Sequence, residues 1–77
     1  MIETAYILIT LDRGTPAEVA QEVRKIPGIV RADVTMGEFD VIAVAEMEGT
    51  KGFSPLASRI KAIAGVDRVV TCVVVYP

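Results

Sequence analysis

Val19-Ala20-Gln21-Glu22-Val23-Arg24-Lys25-Ile26-Pro27-Gly28-Ile29-Val30-Arg31 recurs within its own chain. Val19-Ala20, Val23, Ile26, Gly28-Ile29 and Arg31 return as Leu56-Ala57, Ile60, Ile63, Gly65-Val66 and Arg68, each 37 residues further on. In both copies the apolar residues keep helical spacing, a glycine stops the helix, and a strand-like run follows. Each half reads strand, helix, tight turn, strand. Two such βαβ halves joined by a hairpin predict an α+β fold, a ferredoxin-like βαββαβ sandwich with an antiparallel sheet and two helices on one face.

Working outward, Thr15-Pro16-Ala17-Glu18 reads as a capping box with proline at the first helical position. Val19, Ala20, Val23 and Ile26 share the buried face of the first helix, while Glu18, Gln21, Glu22 and Lys25 face water. Pro27-Gly28 stops that helix, and a strand from Ile29 to Met36 follows with Arg31 and Asp33 pointing outward. Gly37-Glu38 turns the chain into the third strand. The second helix starts between Thr50 and Pro55, with Ser54-Pro55 as the best cap. It buries Leu56, Ala57, Ile60, Ile63 and Ala64, and the last strand runs from Val66 to about Tyr76. Right-handed crossovers put strands one and three in the centre. Strand two is an edge defended by charge; strand four is an almost undefended edge.

The strands are oily on both faces. Ala5, Ile7, Ile9 and Leu11 point one way, Tyr6 and Leu8 the other. Val41, Ala43, Ala45 and Met47 oppose Ile42 and Val44; Val69, Thr71, Val73 and Val75 oppose Val70, Cys72, Val74 and Tyr76. Two helices cover only one of these faces, so the other is expected to be a contact surface. Size agrees. A chain of 77 residues forms one domain, residues 1–77, and is marginal alone. One cysteine makes no internal disulfide, and a chain without histidine lacks the usual zinc ligand sets. Oligomerisation is the remaining source of stability. Tyr6 and Tyr76 suit interface anchors, and Met36 and Met47 suit core or interface filler.

A net charge of −2 argues against direct nucleic-acid binding. No apolar run approaches the ~20 residues of a membrane-spanning helix. Glu3 and the lack of an early basic region argue against a secretory leader. A free thiol and no targeting signal then predict the cytoplasm. No catalytic constellation, cofactor motif or metal site is evident, and the commonest general base is missing. Cys72, among valines, reads as a buried small hydrophobe.

Two positions admit more than one reading. In Gly37-Glu38-Phe39-Asp40 the structural reading is a hairpin in which Asp40 bonds backbone at the strand start. The functional reading is a small-ligand loop, with turn N–H groups for a carboxylate and Asp40 for an ammonium, the two charged ends of a free amino acid. Thr71 is either a cross-strand hydrogen-bonding hydroxyl or a second ligand contact.

Taken together, the Pro27-Gly28-Ile29 and Ala64-Gly65-Val66 turns, Gly37-Glu38-Phe39-Asp40 before an apolar strand, and the terminal run Val69 to Val75 resemble the effector domain of the Lrp/AsnC family of leucine-responsive regulators. This module is called RAM, for regulation of amino acid metabolism. The resemblance covers essentially the whole chain. It implies dimers of the dimeric α+β barrel type that pack sheet against sheet, rings such as octamers, and amino acids bound between dimers. Gly37, Glu38, Phe39 and Asp40 match its effector loop. Thr71 matches one of two hydroxyl positions in the last strand; Val69 stands at the other, a departure that bears on which effector fits. The family's helix-turn-helix DNA-binding domain is not seen in these residues.

The leading expectation is therefore a non-enzymatic, oligomeric amino-acid-binding module that can modulate full-length Lrp/AsnC regulators by mixed assembly. The alternatives are a small cofactor-free oxygenase or isomerase on the same scaffold, and an ACT-type amino-acid-binding module, which would set its sheets side by side.

Overall fold

The 37-residue repeat is a structural duplication. The computed structural model describes residues 1–76, in the order β1 (Ile2–Leu11), α1 (Pro16–Arg24), β2 (Ile29–Val34), β3 (Val41–Glu48), α2 (Phe53–Lys61) and β4 (Val66–Val73). Both helices begin and end at positions one repeat apart. Both exit turns carry the same hydrogen bonds: Ile26 N–H to Val23 O and Ile63 N–H to Ile60 O, each 3.0 Å, then Ile29 N–H to Ile26 O and Val66 N–H to Ile63 O, each 3.1 Å. Gly28 and Gly65 hold φ of +101° and +94°, the left-handed region that lets the chain leave the helix and enter the sheet. Even the irregularities repeat. Pairing passes from Ile29 to Arg31 on β2 and from Val66 to Arg68 on β4, which leaves Val30 and Asp67 as extra residues of equivalent bulges.

The sheet order is β2-β3-β1-β4 and every pair is antiparallel, so the expected ferredoxin-like α+β sandwich with central first and third strands is what forms. Ala5, Ile7 and Ile9 of β1 and Val41, Ala43 and Ala45 of β3 are fully buried beneath the helices. Helix α1 adds Val19, Ala20 and Val23, and α2 adds Phe53, Leu56 and Ile60. Helix α1 packs over β2 and β3, and α2 over β4. No described helix is long and apolar enough to cross a membrane.

Several boundaries move from those expected. Thr15 is the N-cap of α1 and Pro16 follows it, as expected, but the Thr15 side chain makes no capping hydrogen bond and the expected capping box does not form. Helix α2 starts at Phe53 behind Gly52, not at Ser54-Pro55. Pro55 is tolerated in the first turn, where its missing N–H has no intrahelical partner to lose. Ala64 is exposed, not buried, because it lies in the exit turn beyond α2. Strand β2 ends at Val34, where Thr35 N–H turns to Asp40 O (3.0 Å), and β4 ends at Val73.

Candidate functional site

The face of the sheet away from the helices has no cover within the protomer. Register places its residues in rows. Arg31, Val44, Tyr6 and Cys72 form one; Asp33, Ile42, Leu8 and Val70 form the next. Tyr6 is 49% exposed, and Leu8, Ile42, Val44 and Val70 are half-buried. Cys72 is exposed in the protomer, contrary to the buried small hydrophobe expected; periodicity assigned it a face, and that face is open. Charge surrounds this apolar centre, with Arg31 and Asp33 paired at 2.6 Å on β2, Arg68 on β4 and exposed Glu46 on β3, one row beyond Tyr6 and Val44. An apolar centre with a polar margin has the composition of an interface.

The connection between β2 and β3, residues 35–40, is pinned at its base. Thr35 Oγ1 donates to Phe39 O (2.7 Å) and Thr35 N–H to Asp40 O (3.0 Å). Asp40 N–H donates to Ile9 O (2.9 Å), and Leu11 N–H donates to Asp40 Oδ2 (2.7 Å). Above this base Met36, Gly37 and Glu38 stand exposed and Phe39 is half-buried. The N–H groups of Gly37, Glu38 and Phe39 have no hydrogen-bond partner among the described residues. One Asp40 oxygen is engaged by Leu11; the other faces no described donor. Asp40 thus has the structural role of ending β1, and the loop it ties down also presents unpaired N–H donors.

That double role makes a stability prediction. Asp40→Ala removes a charged acceptor from Leu11 N–H and should lower unfolding free energy by about 1.5–3 kcal/mol, measured by urea denaturation at fixed protein concentration. Asp40→Asn keeps an oxygen in place and should lose less than half of that.

Thr71 lies elsewhere. It pairs with Ile7 and so points to the helix side of β4, half-buried, with no hydroxyl partner among the described residues; the cross-strand bond considered for it does not form. From Asp40, at the level of Ile9, it is two strands across and two to three residues along, roughly 12–14 Å. One protomer therefore does not bring Gly37, Glu38, Phe39 and Asp40 together with Thr71. Among the described residues, open grooves indent the protomer, including one of about 430 Å³ between α1 and the turn at Gly65, one of about 390 Å³ along β2, and one of about 370 Å³ between α2 and β4. None is lined by those five residues. Among the described residues no group of three or more His, Cys, Asp or Glu could hold a metal ion.

Two residues carry more than sequence reasoning gave them. Met36 is not core filler but the most exposed large apolar side chain of the protomer, and its position in a tight connection was the available signal. The Thr10 hydroxyl is buried with no partner among the described residues; Thr10 continues the open-face series Tyr6, Leu8, which pointed to it.

Comparison with known proteins accords with this geometry. A family model described as the Lrp/AsnC ligand binding domain matches residues 4–76. A curated relative from Pyrococcus furiosus, described as the uncharacterised HTH-type transcriptional regulator PF0250, is 30% identical over 74 residues, which is 91% of this chain and 49% of the relative. This chain spans about half the length of the curated relatives it matches. Among solved structures, TTHA0845 from Thermus thermophilus superposes with a TM-score of 0.88 at 19% identity, over 97% of this chain and 98% of that one. The Neisseria meningitidis transcriptional regulator NMB0573, solved as an L-Met complex, gives 0.78 at 21% identity over 96% of this chain and 50% of its own. Residues 4–76, nearly the whole length, match the family model, and the chain belongs to the Lrp/AsnC ligand-binding domain family.

Proposed function

We propose that this chain is a non-enzymatic amino-acid sensor that works as an assembly of copies, stacked through the open sheet face. The observation that carries the reading is the pinned loop: free N–H groups at Gly37, Glu38 and Phe39 on the connection that ends at Asp40, whose carboxylate is engaged on one oxygen only. The N–H groups suit the ligand's carboxylate and Asp40 its ammonium. Thr71, too far away within one protomer, joins the site only from a neighbouring copy. Ligand then sits between dimers, bridges them, and favours rings such as an octamer by mass action. Family membership and the L-Met complex of NMB0573 support an amino acid as effector. The description of the relatives as HTH-type transcriptional regulators supports a regulatory role, through mixed assembly with full-length Lrp/AsnC regulators. Such a partnership belongs in the cytoplasm, where a free Cys72 stays reduced.

Titration calorimetry of the assembled protein against a panel of amino acids tests this. Heat is expected with at least one of them, and loss of that heat is expected in Asp40→Asn, which keeps the Leu11 contact but not the charge, and in Thr71→Val. No heat with any amino acid removes the sensing role.

A further inference from the structure

Among the described residues, one buried side-chain oxygen has nothing to bond. The Thr10 hydroxyl is out of solvent and without a partner. A hydroxyl so placed has lost its water and gained nothing in return. Its neighbours across the sheet point to what would satisfy it. Thr10 pairs with Arg68 on β4, and continuing the Ile9–Val41 pairing by one residue sets Asp40 on its other side. A carboxylate, a hydroxyl and a guanidinium thus stand in one row across β3, β1 and β4.

Both charged members of the row have capacity to spare. Asp40 gives one oxygen to Leu11 N–H, and the other faces no described donor. Arg68 is exposed and forms no ion pair among the described residues, not even with neighbouring Asp67. The first half of the duplication treats its arginine differently. Arg31 is held by Asp33 at 2.6 Å and lies beside Val44, with no hydroxyl to serve. Thirty-seven residues on, Val70 replaces that aspartate, and Arg68 is left uncommitted beside Thr10.

We infer that this row receives the side-chain carboxylate of an acidic amino acid, so that the effector is of the aspartate or glutamate class. The inference rests on the sensing reading above, in which Asp40 takes the ligand's ammonium and the loop N–H groups its main carboxylate. Asp40 and Arg68 are two strands apart, roughly 10 Å between backbones. An arginine leaning inward over Thr10 narrows that gap to the reach of one small side chain. The ligand's second carboxylate then accepts from the Arg68 guanidinium and from the Thr10 hydroxyl, which gains the partner it lacks. An apolar side chain in the same place would leave the hydroxyl unsatisfied and the guanidinium desolvated without an anion, so the row discriminates against it.

Titration calorimetry of the assembled protein with L-glutamate, L-aspartate, L-glutamine and L-leucine provides the test. One of the two acidic amino acids should bind at least about tenfold more tightly than glutamine or leucine. Arg68→Gln should weaken that binding about tenfold to hundredfold and abolish the preference over glutamine, while Arg68→Lys should keep the preference. Thr10→Val should weaken binding of the acidic amino acid and also raise the urea midpoint, because an unsatisfied buried hydroxyl is removed; a rise in the midpoint with unchanged affinity would assign Thr10 a structural role only and overturn the inference. It is equally overturned if leucine binds as tightly as the acidic amino acids, or if Arg68→Gln keeps the wild-type preference. These results leave the sensing role standing, whereas no heat with any amino acid removes both.

Discussion

Leu8→Asp should yield a folded monomer. Leu8 occupies the middle of the open face, flanked in register by Ile42 and Val70, and its backbone neighbours Ile7 and Ile9 turn to the helix side, where they are fully buried. The substitution leaves that core untouched. In a stacked dimer it removes a leucine from a dry centre and buries a carboxylate without a partner. Together these should cost about 3–5 kcal/mol of association, a weakening of at least about hundredfold. Sedimentation equilibrium over a range of concentrations reads the mass, and far-ultraviolet circular dichroism the fold. A Leu8→Asp protein that associates like the wild type would exclude the sheet face as the contact, and a wild type that is strictly monomeric at micromolar concentration would remove self-association altogether.

Gly65→Ala should destabilise the fold by about 2–4 kcal/mol, clearly more than Gly28→Ala, although both glycines hold the same left-handed backbone and serve the same turn. The difference lies in what the new methyl meets. At Gly65 it would lie 2.5 Å from the carbonyl oxygen of Arg13, and that segment is fixed because Asp12 N–H donates to Gly65 O at 3.0 Å. Backbone pinned to backbone gives way only by breaking the connection between β1 and α1. At Gly28 the obstacle is the sulfur of Met47 at 2.5 Å, with Leu56 Cδ1 at 3.2 Å, and a flexible side chain can swing aside. The left-handed conformation itself adds about 1–2 kcal/mol in both. Urea denaturation of the two variants at one protein concentration decides the matter; equal losses would mean that the Arg13 segment yields as easily as a methionine. For a chain this small, the larger value is a substantial part of total stability.

Much of the fold was legible because it is written twice. The repeated helix spacing and the paired glycines gave the order of elements and the central strands before any coordinates. Single residues were less legible where local chemistry offered a decoy. Ser54-Pro55 looks like a helix start, yet the helix begins at Phe53, whose ring is buried and so draws the first turn inward. Val74 to Tyr76 read as strand, yet β4 pairs only with β1, whose own pairing with it reaches Ala5; Val74 still bonds Thr4 O at 2.8 Å, and there the ladder stops. Cys72 shows the limit of periodicity, which says which way a side chain points but not whether anything lies above it. For the candidate site, the sequence marked the Gly37–Asp40 loop but not that its N–H groups stay free or that Thr71 faces the other side of the sheet. The first depends on the hydrogen bonds that close the loop at Thr35, the second on register, which a bulge at Asp67 shifts by one residue.

The matched bulges have a last implication. They bring Arg31 and Arg68 to the same side at diagonally opposite corners, and the same operation carries Leu8 onto Ile42 and Thr10 onto Val44. The backbone of the exposed β-surface is thus nearly unchanged by a half-turn about its own normal, but its side chains are not. The operation sets Tyr6 against Asp40, Cys72 against Thr35, Asp33 against Val70 and Thr10 against Val44, and these four lapses of the duplication let an approaching twin tell one pose from the other.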